Sequence, residues 1–417
     1  MKILILHKID YAKMLYHNGI DHDLHDVVYV GTAEKLKSVP PDLRCRRVVR
    51  EDSASGICQS VLEALKASPG EGDDDTRPFD RIISLSEYEL LAAAELRDAL
   101  GVHGPSLSDA RLVRDKVAMK KAVTAMGIDA PRFISLATLR SGNASLEWTG
   151  RTVLKPTHGA GSEDVVIFEN ASSAMAAIDG HCTGVAAIDG ERPNYDAYEL
   201  EEFVGGPIVH FDGLVRDGVV EAACGSRYIG TCQRYNENEP LGSYQIDLGA
   251  ERLAWIQRVI EAVRIRVGAF HLEAIESERG LVFLEIGNRI GGAGVTQATS
   301  LAWGVDLQEL ELRLLVDECH FDLRQIARQG KYCGWYVVPG HRYRQGRWSE
   351  SGAFEQLRSD ARVIEWHERD PDAAFDDSPD YDLPSVPYGG IVGAQRSEDV
   401  RDYISGLFAS LAWHPAA

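Results

Sequence analysis

Two acidic residues interrupt neighbouring apolar stretches: Glu273 in Phe270-His271-Leu272-Glu273-Ala274-Ile275-Glu276, and Glu285 in Leu281-Val282-Phe283-Leu284-Glu285-Ile286. Residues 277–280 between them read as a hairpin connection. Hairpin-linked strands can set inward carboxylates side by side, where they repel each other and lose hydration. A divalent cation removes that conflict, and carboxylate oxygens suit Mg²⁺; a structural network with Arg would remove it as well. Directly afterwards come Gly287-Asn288-Arg289-Ile290-Gly291-Gly292. Asn288 can add an oxygen ligand, and Arg289 can hold a phosphoryl group in transfer.

Three further stretches carry chemistry. In the first, Val153-Leu154-Lys155-Pro156 ends an apolar strand on a lysine and runs into Thr157-His158-Gly159-Ala160-Gly161-Ser162. A strand-end cation and a small-residue loop can cradle phosphate through backbone N–H groups, although a plain hairpin turn would also account for the loop. In the second, Arg114-Asp115-Lys116 lies in a helical stretch, where a lysine alone reads as a solvated face. In the third, Tyr198-Glu199-Leu200-Glu201-Glu202-Phe203-Val204-Gly205-Gly206 alternates apolar and acidic residues before two glycines. It reads either as an edge strand with exposed acids or as a hinge whose backbone meets a base edge.

The elements that must position these residues follow from periodicity. Short apolar runs at 3–6, 27–30, 48–49 and 81–85 alternate with helical patterns at 60–65 and 87–100, which predicts parallel βαβ units. His7-Lys8-Ile9-Asp10 follows the first run, so no glycine fingerprint for a dinucleotide stands there. Residues 70–75 read as a polar loop. Ser108 or Asp109 is expected to cap a helix over 111–126 that Gly127 ends. Strands are expected at 132–134, 152–155, 165–168, 198–204, 210–215, 268–276, 281–286 and 334–339. Helices are expected at 171–179, 251–266, 306–316 and 400–411, and 376–387 reads as an acidic, Pro-rich surface loop. The fold class is therefore mixed α/β and α+β. It divides into a parallel-sheet domain at 1–105, a linker helix at 106–130, a small unit at 131–204 and a large mixed domain at 205–417.

Composition bounds the function. The chain has 417 residues, with 44 Lys plus Arg against 64 Asp plus Glu, a formal net charge of −20. That acidity argues against a nucleic-acid backbone as partner, because such affinity rests on clustered cations, but it leaves room for a small anion held by a few placed ones. The seven cysteines are odd in number, scattered and without Cys-x-x-Cys, which reads as reduced thiols in the cytoplasm. No apolar run is long enough for a membrane span.

These four stretches, in this order, resemble the ATP-grasp superfamily of carboxylate–amine ligases over about residues 1–300. Within it the pattern is most similar to the branch of L-amino acid ligases and biotin-carboxylase-like enzymes. The resemblance implies an N-terminal parallel-sheet domain, a small lid and a large C-terminal domain, with ATP between the last two. Lys116 and Lys155 would reach the phosphates, and Gly159, Ala160, Gly161 and Ser162 would cover the γ-phosphate. Glu202, Phe203 and Val204, with Glu201 beside them, would meet adenine. Glu273 and Glu285 would bind two Mg²⁺, or Mn²⁺ in its place, and Arg289 would face an acyl phosphate. The chain departs from the pattern twice. Gly287 stands where many members carry a metal-binding Asn, so either Asn288 would replace it or Glu285 would carry the second metal more alone. Ile208 stands where many carry an acid toward ribose, so His210 would either serve nearby or be a structural histidine of its strand.

The activity implied is formation of an amide, most simply a dipeptide, through an acyl phosphate with release of ADP and phosphate. Arg227, with the backbone of Gly291 and Gly292, would hold a substrate carboxylate. Arg227 also reads as a surface ion pair. Trp303, Trp335 and Tyr336 read as either pocket or core. The partners implied are small carboxylate and amine substrates, with a homodimer following only by analogy. The alternatives are a bicarbonate-activating carboxylase and a nucleotide-binding regulator without turnover.

Overall fold

A computed structural model describes residues 1–52, 56–68, 79–142, 144–370 and 374–416. The polar loop expected at 70–75 lies outside the described residues. The first apolar runs pair in parallel, as their alternation with helices requires. Strands β1 (Lys2–Leu6), β2 (Asp26–Gly31), β3 (Arg46–Val49) and β4 (Arg81–Ser84) form a sheet in the order β3-β2-β1-β4. Helices Ile57–Ala67 and Leu90–Leu100 cover one face, and Leu312 and Val316 from far along the chain help cover the other. Because β4 returns to the opposite side of β1, the loops after β1 and β4 diverge at a switch point, where sheets of this kind open a crevice.

The second sheet holds β5 (Phe133–Ser135), β6 (Thr152–Pro156), β7 (Val166–Phe168) and β8 (Tyr198–Glu202), antiparallel in the order β5-β8-β6-β7. The Ala-rich helix Ala171–Asp179 packs on it, capped by Asn170 Oδ1 accepting from Ser173 N–H at 2.8 Å.

The remaining strands are β9 (Ile208–Arg216), β10 (Val219–Ile229), β11 (Leu241–Ile246), β12 (Gly268–Ser277), β13 (Gly280–Gly287), β14 (Tyr332–Val338), β15 (Gly346–Glu350), β16 (Val363–Glu368), β17 (Tyr388–Ala394) and β18 (Leu411–Pro415). Eight of them form one antiparallel sheet, β13-β12-β9-β10-β11-β14-β17-β16, and β15 pairs with β18. Helix Ala250–Ala262 buries Ile256, Val259 and Ile260 against Val209, Phe211, Phe270 and Leu272 on one face of this sheet. The other face, around β12 and β13, is left for a cavity.

Three expectations change. The linker is two helices, Leu107–Arg111 and Lys116–Ala125. Ser106 caps the first through a capping box with Asp109, and Asp115 Oδ1 caps the second, accepting from Val117 N–H at 2.9 Å and Ala118 N–H at 3.0 Å. The closing helix is Ser397–Ala409, after which the chain turns into β18 rather than continuing. The 376–387 stretch is no free surface loop, since it buries Leu383 and Val386 against Trp335 and Ile391. Among the described residues no helix is long and apolar enough to cross a membrane, and all seven cysteines are free.

Candidate functional site

A cavity of about 810 Å³ opens between the second and third sheets, within the usual range for small-molecule sites. Its apolar end is formed by Val153, Ile167, Phe203, Val204, Ile208 and Leu284, a slot suited to a planar ring. Its polar wall gathers Lys116, Lys155, Glu273, Glu285 and Arg289.

The two carboxylates are direct register partners, Glu273 opposite Glu285. A β-bulge makes them so. The hairpin runs in register from Ser277 opposite Gly280 to Ala274 opposite Phe283, and continuing that register would put Leu284 opposite Glu273. One extra residue on β13 shifts the pairing and re-aims Glu285, as bulges beside functional sites do. Glu273 accepts from Tyr228 Oη at 2.8 Å, and Glu285 lies 3.1 Å from Lys116 Nζ. Burial works to raise the Glu285 carboxyl, but Lys116, Lys155 and Arg289 outweigh it and hold it down to about 2.

Lys116 opens its helix and is buried, its Nζ donating to Gly159 O at 2.6 Å. It is not the solvated face residue its helix suggests. Lys155, at the end of β6, lies 2.7 Å from Glu201 Oε1. Burial works against its charge, but Glu201, Glu199 and Glu285 hold its ionisation above the usual lysine range. Glu201 is likewise buried, bonding Lys155 through one oxygen and Lys120 through the other at 2.6 Å. It is a counter-ion behind Lys155 as well as part of the cavity wall.

Along the hinge, Glu202 N–H donates to Arg132 O at 2.8 Å and Phe203 N–H to Arg151 O at 2.9 Å. The N–H that a base edge could use there therefore falls to Val204. The Glu202 carboxylate takes Arg132 at 2.6 Å and Arg279 at 3.2 Å, and Phe203 stacks beneath the Arg151 guanidinium with its ring centre 3.8 Å away. The small-residue loop joins the cavity through Gly159, Ala160, Gly161 and Ser162. Gly159 is a steric requirement, because a Cβ there would meet Pro156 Cγ at 2.4 Å.

Arg289 is gripped by Glu87, which takes Nε and Nη2 at 2.9 Å each, and its Nη1 donates to Ile290 O at 2.9 Å. Burial disfavours its charge, and Glu87, with Glu285 and Glu273, more than compensates.

Four expected residues lie elsewhere. Asn288 turns its amide onto the carbonyls of Ala269 at 2.7 Å and Val267 at 3.3 Å, tying β13 to the start of β12 rather than facing the carboxylates. His210 is buried beneath the cavity floor, roofed by the Tyr228 ring at 4.7 Å, with Nδ1 on Asp212 at 2.5 Å and Nε2 on Ser243 Oγ at 2.7 Å. It does not line the cavity. Arg227 points to the opposite, helix-covered face of the sheet, where it and Arg252 share Glu276. Gly291 stands behind the cavity, where a Cβ would meet Asp212 Oδ1 at 2.8 Å. Gly292 and Ala293 reach the wall instead, Ala293 at φ +50°, a backbone strain of the sort stored at functional sites. Of the aromatic candidates, Trp335 lines the cavity, while Trp303 and Tyr336 belong to the core.

Several residues escaped notice in the sequence. Lys120 is fully buried and donates to Glu199 and Glu201 at 2.6 Å each. Its place four residues after Lys116 puts both on one helix face, which was the available signal. Asp212 joins His210 to His271, binding His271 Nδ1 at 2.7 Å. Burial opposes charge on His271, and Asp212 and Glu273 push it up to about 10. Glu87 carried no signal beyond its helix.

Comparison with known proteins bears on this geometry. No family model matches the chain. It is 26% identical over 274 residues to the L-arginine-specific L-amino acid ligase of Bacillus subtilis, covering 61% of this chain and 60% of that protein. The chain thus spans about three fifths of that relative. The structure is similar to the crystal structure of L-amino acid ligase from Bacillus licheniformis, with a TM-score of 0.69 and 17% identity over 100% of this chain and 98% of that one. The chain has the ATP-grasp fold. It is also similar to the biotin carboxylase domain of Hydrogenobacter thermophilus 2-oxoglutarate carboxylase, solved with MgADP and bicarbonate, with a TM-score of 0.62 and 16% identity over 100% of this chain and 91% of that one. In this fold the cavity lies between the second sheet and the large third sheet.

Proposed function

We propose that the protein is an ATP-dependent carboxylate–amine ligase that joins amino acids through an acyl phosphate, releasing ADP and phosphate. The observation that carries the reading is the bulge-aligned pair Glu273 and Glu285 on one cavity wall with Lys116, Lys155 and Arg289. The likeness to L-amino acid ligases supports the choice of amino acids as substrates.

The donor set fits Mg²⁺: two adjacent carboxylates whose oxygens face a cavity, one of them held ionised. When bound, the ion would neutralise phosphate charge and orient the γ-phosphoryl group. The chain's own residues do the rest. Lys155, kept charged by Glu201, would bind the phosphates, and Lys116 would exchange its contacts with Glu285 and Gly159 O for a phosphate oxygen. Arg289, fixed by Glu87, would hold the transferring phosphoryl group and then the acyl phosphate. The amine nitrogen would attack the acyl carbon, expelling phosphate and losing a proton. The glycine loop would keep water from that carbon.

The test is phosphate release from MgATP against a matrix of amino acid pairs, with mass spectrometry of the products. An amide formed in step with phosphate is expected. Turnover that needs bicarbonate and no amine would favour carboxylation, and no release with any carboxylate would overturn the reading. Glu285→Ala is expected to lower turnover by at least about a hundredfold, the scale seen when one preorganised electrostatic group is removed.

A further inference from the structure

The strap at 374–387 reaches three parts of the molecule. Lys13 of the first domain lies 3.0 Å from Asp382. Tyr235 in helix Cys232–Asn236 stacks on Tyr381, ring centres 4.6 Å apart at 28°, and its hydroxyl donates to Asp380 O. Tyr381 Oη lies 3.2 Å from Gly161 O, in the small-residue loop of the lid, and 2.9 Å from Asn236 Oδ1, so its single proton is shared between two acceptors. Asn236 Nδ2 donates to Gly161 O at 2.9 Å. One loop carbonyl is thus held by two side chains of the C-terminal domain, and Gly161 at φ +62° presents it where they meet. Tyr381 also lines the cavity.

We infer that Tyr381 and Asn236 are positioning residues that latch the lid's small-residue loop shut over the reacting groups, so that the acyl phosphate meets the amine rather than water. The inference rests on the ligase reading. The loop's other anchors, Arg114 on His158 O and Lys116 on Gly159 O at 2.6 Å each, come from the linker. They hold its base, while Tyr198 Oη holds Asp164 at its far end at 2.7 Å, and Lys116 must release when it turns to phosphate. The Gly161 clasp holds the tip without using a phosphate-binding cation, so it persists through the reaction. When the tip opens, water attacks the acyl carbon, its oxygen completes the carboxylate, and phosphate departs with ADP already formed. ATP is then spent without an amide.

The test uses the full chain with Tyr381→Phe, which keeps the ring stacked on Tyr235 and deletes only the hydroxyl, and with Asn236→Ala. For the amino acid pair that works best with the unmodified protein, the ratio of phosphate released to amide formed is expected to rise about threefold to tenfold in each variant, the shift from losing one neutral hydrogen bond. A ratio equal to that of the unmodified protein in both would overturn the latch. Native-state hydrogen exchange at residues 159–164 is the second readout and needs no turnover. Faster exchange in Tyr381→Phe at unchanged melting temperature supports the latch, and unchanged exchange overturns it. Absence of amide with the unmodified protein counts against the ligase reading alone, and the exchange experiment then still decides the latch.

Discussion

Lys120 shows how much of the site rests on a residue that touches no part of the cavity. Two carboxylates, Glu199 and Glu201, lie buried on one strand face and share Lys120, with Lys155 beside them. Burial raises Glu199, whereas the two lysines together hold Glu201 down against its own burial. Removing one partner from such a cluster leaves an uncompensated charge, at about 3–5 kcal/mol. Lys120→Met is therefore expected to lose about that much stability in urea unfolding at unchanged m-value, and to weaken ATP binding because Glu201 no longer fixes Lys155. A loss below about 1 kcal/mol would show that Lys155 alone balances the pair. Residue types and spacing marked Lys155, Glu273, Glu285 and Arg289 because a charge ending or interrupting an apolar run is conspicuous. They misplaced Asn288 and His210, since whether a polar side chain on a strand meets a ligand or a backbone carbonyl depends on what roofs it.

Among the elements, the β12–β13 hairpin and helix Leu307–Leu315 behind it decide most. The helix carries Glu311, fully enclosed, with one oxygen 3.3 Å from Ala269 N–H. Burial pushes its carboxyl up to about 7. Unfolded, it would titrate near 4.5. Between those values the native state holds the proton that the unfolded chain has released, so stability falls as pH rises from about 4.5 to about 7, and stays lower above. The difference is on the order of 3 kcal/mol. Glu311→Gln should flatten that part of the stability profile and unfold at higher temperature than the unmodified protein at pH 8, by calorimetry. Identical profiles would mean that Glu311 is already neutralised by a neighbour.

Across the whole molecule, Glu87 ties the first domain to the site. It follows β4, at the crevice of the parallel sheet, and bridges Arg114 of the linker at 2.6 Å and Arg289 of the C-terminal domain at 2.9 Å. Glu87→Gln keeps the shape but removes the charge between two guanidinium groups. It should lower kcat about tenfold or more, as small misplacements of a positioning group do, with a smaller change in KM for ATP. Steady-state kinetics would show it, and an unchanged kcat would mean that Ile290 O alone holds Arg289. Alternating strands and helices made the parallel sheet legible. β11 and the strands after β14 were largely illegible, because their apolar pattern is broken by glycines and polar residues that only neighbouring strands make room for.

By itself the sequence determined the resemblance to the ATP-grasp fold, because the order of charged residues ending or interrupting apolar runs survives without knowledge of packing. Only the tertiary structure decided which of them meet. The bulge at Leu284 puts Glu285 rather than a leucine opposite Glu273. Sheet parity turns Arg227 away and Tyr228 inward. The strap from 374–387 arrives at Gly161 across more than two hundred residues of chain. Register, face and long-range closure are set by which surfaces bury against each other, and no local window of residues contains that information.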